Sequence, residues 1–84
     1  MKLNELTKGT IARVSGFSSE EAAQLVISKL REIGFAEGDE VELLHTGLFG
    51  GTPLSYRLNR TMIALRKSEA SLIEIIPSNK AASA

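Results

Sequence analysis

The side chains that could do chemistry in this 84-residue chain are few. There is one histidine, His45, and there is no cysteine, so thiolate metal sites, disulfides and thiol nucleophiles are excluded. His45 could ligate a metal or titrate near neutral pH, but a lone imidazole is a poor transition-metal site. Glu37, Asp39, Glu40 and Glu42 form an acidic run that could attract a divalent cation weakly. Strand alternation would set Glu40 and Glu42 on one solvent face, where charges deter edge-to-edge pairing. Gly47, Gly50 and Gly51 are not followed by the Lys-Ser/Thr of a phosphate loop, so they read as turn residues. No acid, base and nucleophile stand in a catalytic arrangement, and the chain reads as a binding module, not an enzyme, with no cofactor.

Binding chemistry is better supplied. Leu48 and Phe49 are large apolar residues in a glycine-bracketed segment. Either they fold inward to cap the core or they offer an apolar knob to a partner. Arg57, Arg60, Arg66 and Lys67 fall on adjacent elements of the second half. They make either solvated hairpin faces or an anion-binding patch beside the knob. The charge is divided. Residues 1–42 hold five basic and eight acidic residues, net −3, and residues 43–84 hold five basic and two acidic, net +3. The total of zero argues against general nucleic-acid binding through phosphates.

The elements that would position these residues follow from period and punctuation. Thr10 to Ser15 alternates and predicts a first strand, with Ala12 and Val14 on one face and Gly16 at its end. Ser18-Ser19-Glu20-Glu21 fits a capping box with Ser18 as N-cap. Ala22, Ala23, Val26, Ile27, Leu30 and Ile33 then recur at helical spacing, and Gly34 suits the C′ position with Phe35 folding back. Ala36 to Asp39 predicts a tight turn. Glu40 to His45, Leu54 to Asn59, Thr61 to Leu65 and Leu72 to Ile76 predict four more strands. Thr46 to Pro53 reads as a loop, Asn59-Arg60 as a hairpin turn, and Arg66 to Ser71 as a single helical turn. Tyr56 faces the core. Five short strands in so short a chain favour a curled antiparallel barrel. One domain is expected over residues 1–76, followed by a flexible tail over 77–84. No apolar run reaches membrane-spanning length and no export signal opens the chain, so a cytoplasmic protein without membrane insertion is expected.

These segments carry a family resemblance. Lys29-Leu30-Arg31-Glu32-Ile33-Gly34-Phe35 followed by Gly38-Asp39-Glu40-Val41-Glu42 resembles the helix-to-strand passage of the ferrous iron transport protein A (FeoA) family. Gly50-Gly51-Thr52-Pro53-Leu54 resembles that family's Gly-x-Pro loop. Ala64-Leu65-Arg66-Lys67-Ser68-Glu69-Ala70 resembles its Ala-Leu-Arg-x-x-Glu-Ala segment. The likeness runs from about Leu3 to Ile76. It implies an SH3-like barrel, mainly β, with one amphipathic helix after the first strand and a short helical turn before the last. It also implies a bacterial accessory protein that binds the cytoplasmic part of a membrane Fe²⁺ transporter carrying a GTP-binding domain, with self-association left open. The contact surface expected for that partner is Leu48, Phe49, Arg57, Arg60 and Arg66. Two other readings stand beside it. One is a regulatory module of the kind that ends iron-dependent repressors, although no DNA-reading helix precedes it. The other is weak direct metal sensing through Glu40, Glu42 and His45. Two departures from the family pattern, Thr46-Gly47-Leu48-Phe49 and Asn59-Arg60, fall in loops that could meet a partner.

Overall fold

The computed structural model describes residues 1–48 and 50–78. Five strands form one antiparallel sheet in the order β4-β3-β2-β1-β5. They are β1 (Ile11–Phe17), β2 (Glu40–Gly47), β3 (Gly51–Leu58), β4 (Thr61–Leu65) and β5 (Ile73–Pro77). Helix α1 (Gln24–Ile33) lies between β1 and β2, and α2 (Lys67–Ala70) is one turn between β4 and β5. The sheet curls around the core as an SH3-like barrel, but its hydrogen bonding does not close, so β4 and β5 remain edges.

Alternation explains the strands. Ala12 and Val14 of β1, Val41 and Leu43 of β2, and Leu54, Tyr56 and Leu58 of β3 are all buried. Their neighbours Arg13 and Ser15 are exposed, whereas Glu42 and Arg57 are half-buried. Extra residues kink the ladder. The register shifts between Val14 and Gly16 of β1, and between Leu43 and His45 of β2. Such bulges add local twist and bend, which a short sheet needs to wrap a core.

The loop expected over Thr46 to Pro53 is mostly strand. β2 runs to Gly47 and β3 begins at Gly51, with Gly47 paired to Gly51. Pro53, after a cis peptide bond, sits inside β3 at a register shift. Glycine is required at 47: a Cβ there would collide with the Thr52 carbonyl.

The Ser18 capping box does not form. Ser18 Oγ accepts from the Glu20 N–H at 3.2 Å, and the chain makes a 3₁₀ turn at Glu21–Ala23 before α1 begins. No side chain caps α1; Gln24 Nε2 instead donates to the Ser18 and Glu20 carbonyls at 3.2 and 2.8 Å. The buried stripe is also narrower than expected. Ala23, Ile27 and Leu30 are buried, while Ala22 and Ile33 are exposed. The other end of α1 is as expected. Gly34 has φ +131°, the Phe35 N–H donates to the Leu30 carbonyl, and Phe35 is buried. Arg31 stacks 4.2 Å above the Phe17 ring, joining α1 to the end of β1.

A 3₁₀ turn at Leu3–Glu5 plugs the core with Leu3, whose carbonyl accepts from the Tyr56 hydroxyl at 3.2 Å. Tyr56 and Leu3 are both fully buried. Burial also pushes the Tyr56 hydroxyl well above its ordinary pKa. Met1 and Lys2 lie along the outer edge of β5: Lys2 bridges Glu74, and the Ile75 N–H donates to the Met1 carbonyl at 2.7 Å. At the far terminus, Pro77 closes β5 and the Ser78 N–H donates to the Ile11 carbonyl, so pairing passes the expected boundary at residue 76. Of the tail expected over 77–84, residues 79–84 lie outside the described residues.

Candidate functional site

The β2–β3 hairpin carries most of the candidate residues, and its register sorts them. Glu42 pairs with Arg57 across the ladder, and Gly47 with Gly51 at the turn. Arg57 therefore lies at the end away from the turn, on the face that holds Glu40 and Glu42. Its Nε and one terminal nitrogen donate to Glu42 Oε1 at 3.2 and 3.0 Å, and that terminal nitrogen also reaches Glu40 Oε2 at 3.0 Å. The other terminal nitrogen donates to the Asn59 carbonyl at 2.7 Å. The hydrogen bonding to Glu42, followed by the bond to Glu40, pushes the Arg57 guanidinium still higher in pKa. Arg13 adds a longer contact to Glu40, at 4.0 Å, and donates to the Gly38 carbonyl at 2.8 Å.

This network changes the reading of the acidic run. Glu40 and Glu42 face an arginine, and Asp39 accepts from the Ala36 N–H at 3.0 Å across the turn. Glu37 pairs with Arg31 at 3.2 Å, and local backbone and Arg31 hydrogen bonds hold its carboxyl below the usual range. His45 is exposed beyond the bulge. Among the described residues no three His, Cys, Asp or Glu groups converge to hold a metal. Of the carboxylates expected to attract a cation, Glu37, Glu40 and Glu42 already have cationic partners from the same chain, and Asp39 is engaged by a backbone N–H.

The turn end of the hairpin is built differently. Leu48 is 96% exposed, so it points outward and does not cap the core. Phe49 lies outside the described residues. Lys67 Nζ, from α2, donates to the Gly50 carbonyl at 2.7 Å and ties the loop to the short helix. Arg66 stands beside it. Its N–H donates to Glu69 Oε1 at 2.8 Å, but its guanidinium has no ion pair within 4 Å among the described residues. Arg66 also borders a concavity of about 390 Å³ between α2 and the entry to α1, floored by Ala22, Ala23, Val26 and Leu72.

The four expected contact residues that are described, Leu48, Arg57, Arg60 and Arg66, thus do not make one patch. Leu48 and Arg66 share the turn end. Arg57 and Arg60 lie at the other end of β3 and β4, and the six positions from Arg60 to Arg66 span roughly 20 Å of extended chain. Arg57 is internally neutralised there. Three features were missed from sequence: the Lys67 tether, the concavity beside α2, and the cover that Met1 and Lys2 give β5. Each joins segments far apart in the chain. The paired Ala22-Ala23 at the helix entry was the one local hint of the concavity, since small residues leave room.

The chain matches the family model described as the FeoA domain over residues 1–77. Among solved structures it is similar to the FeoA of Stenotrophomonas maltophilia, at 37% identity over 90% of this chain and 89% of that one, TM-score 0.79. That protein was crystallised as a zinc complex and is described as an SH3 domain protein, with a suggested role as a bacterial ferrous iron transport activating factor. It is also similar to the iron(II) transport protein A of Clostridium thermocellum, at 36% identity over 89% of this chain and 44% of that one, TM-score 0.74. The FeoA protein of Chlorobium tepidum is 28% identical over 89% of this chain and 68% of that one, TM-score 0.72. No curated protein matches the chain.

Proposed function

This chain belongs to the FeoA domain family, and from that premise we propose that it is a non-enzymatic accessory of bacterial Fe²⁺ uptake. It docks on the cytoplasmic part of the membrane transporter that carries the GTP-binding domain. It works by contact, biasing transporter states through its different affinity for each. No helix among the described residues is long and apolar enough to cross a membrane, which fits an accessory that reaches the transporter from the side of its nucleotide domain.

The observation that carries this reading is Leu48, 96% exposed on a loop held to α2 by Lys67, the residue next to Arg66. An exposed apolar side chain on a tethered loop, with Arg66 and Lys67 on the adjoining segment, suits an apolar pocket with an acidic rim. The experiment is binding of the full chain to the transporter's purified cytoplasmic domain, with GTP hydrolysis followed in parallel. Burial of one leucine is worth about 1.5–3 kcal/mol, so Leu48→Asp should weaken binding about tenfold or more while the fold is kept. Undiminished binding by that variant would show that this loop is not the contact.

A further inference from the structure

The two outer edges of the sheet are treated differently. The β5 edge carries Glu74, ends at Pro77 and is covered by Met1 and Lys2. The β4 edge carries Thr-Met-Ile-Ala-Leu: no charge, no proline, and five consecutive pairs with β3 without a bulge. Natural sheets blunt an open edge with such devices, because its free N–H and C=O groups accept another strand.

The direction of those groups follows from the ladder. The Asn59 N–H donates to the Glu40 carbonyl on β2, so the next residue back, Leu58, turns its backbone groups toward β4. The pairs Leu58–Thr61, Tyr56–Ile63 and Leu54–Leu65 then carry the β3–β4 bonds. Met62 and Ala64 turn their N–H and C=O outward, and among the described residues no backbone bond outside the ladder reaches them. Their side chains are exposed as well, Met62 at 67%. Arg60 and Arg66 stand at the two ends of this strand, Arg66 itself extended at φ −76° and ψ 155°. Neither guanidinium has an ion pair within 4 Å among the described residues, whereas Arg13, Arg31 and Arg57 all do.

We propose that the β4 edge binds an extended segment of another protein in which a short uncharged stretch lies between two carboxylate side chains. Main-chain bonds from Met62 and Ala64 hold the segment, and Arg60 and Arg66 select its acidic ends. A second copy of this chain is the wrong occupant. Antiparallel pairing along the whole of two β4 strands sets Arg60 of one opposite Arg66 of the other at both ends, and facing like charges oppose pairing. This inference goes beyond transporter docking through Leu48 and does not depend on it.

The test uses the full chain labelled with ¹⁵N and two seven-residue peptides of alternating threonine and valine, one ended by aspartates and one by lysines. Amide shifts and slowed hydrogen exchange are expected at Met62 and Ala64. The aspartate peptide should bind about tenfold more tightly, since two exposed ion pairs replace two like-charge contacts. Ala64→Pro removes an outward N–H and leaves the bonds to β3 intact, so it should weaken binding about fivefold. Arg60→Glu with Arg66→Glu should reverse the preference toward the lysine peptide, while Leu48→Asp should leave both affinities unchanged. The proposal is overturned by equal binding of the two peptides, by no response at Met62 and Ala64 up to millimolar peptide, or by full affinity in the proline variant. Protection of these two amides that grows with protein concentration alone would overturn it too, by making a second copy the occupant.

Discussion

The two ends of the β2–β3 hairpin solve the same problem, holding a short ribbon rigid, with different means. At the open end of the ribbon Arg57 is shared by Glu40 and Glu42, so the charged side chains of β2 and β3 there are paired within the chain. At the turn end the backbone is packed so closely that residue 47 must be glycine, and a single lysine holds the loop. The first end spends its charges on the fold and offers little to a partner. The second holds its shape by close packing and leaves Leu48 and Arg66 for contact. A charge is thus no guide to binding until its partners are known, and the exposed leucine says more than the most prominent arginine.

The largest effect should come from breaking the turn end. Gly47→Ala drives a Cβ into the Thr52 carbonyl, and chemical denaturation should show a loss of about 3 kcal/mol, the upper range of overpacking. Unchanged stability would mean that this end is looser than its geometry. Removing the guanidinium at the other end by Arg57→Ala should cost less, about 1 kcal/mol, and the loss should shrink in high salt because the pairs are half-exposed.

Midway between the ends, Tyr56 offers a control that neither end should alter. Its folded pKa lies above the unfolded value of about 10, so its contribution is complete below that pH and is lost as pH rises above it. Unfolding followed from neutral to strongly alkaline pH should show that decline, and Tyr56→Phe should remove it at a cost of about 1 kcal/mol for the bond to Leu3. The smallest effect is expected for Lys67→Met. Stability should change by under about 0.5 kcal/mol, as for most surface substitutions, while amide exchange at Leu48 and Gly50 quickens. If exchange there does not change, the lysine is not what steadies the loop.

What could be read from the sequence was what is decided locally. Gly34 and Phe35 end α1 through bonds within one turn, and the Asn59 turn and β4 have the expected limits because a two-residue hairpin sets its own register. The Ser18 box is absent because Ser18 Oγ accepts from the nearer Glu20 N–H and α1 begins only at Gln24, after a 3₁₀ turn. Pro53 and three glycines read as loop, yet pairing with β2 draws that stretch into the sheet. The site was less legible than the fold for a plain reason. Whether Glu42 meets Arg57 depends on a bulge at Leu44, and whether Lys67 reaches Gly50 depends on where α2 lands. Neither can be read from the local period or punctuation of the chain.

The bond from the Tyr56 hydroxyl to the Leu3 carbonyl has a practical consequence. The chain has one tyrosine and no tryptophan, so its near-ultraviolet absorption and emission arise mainly from a single ring seated beneath the N-terminal turn. Lifting that turn would hydrate the phenol and shift its spectrum. Without any added dye, the protein would then report optically whether its first six residues are in place, in free solution or while a partner is being titrated.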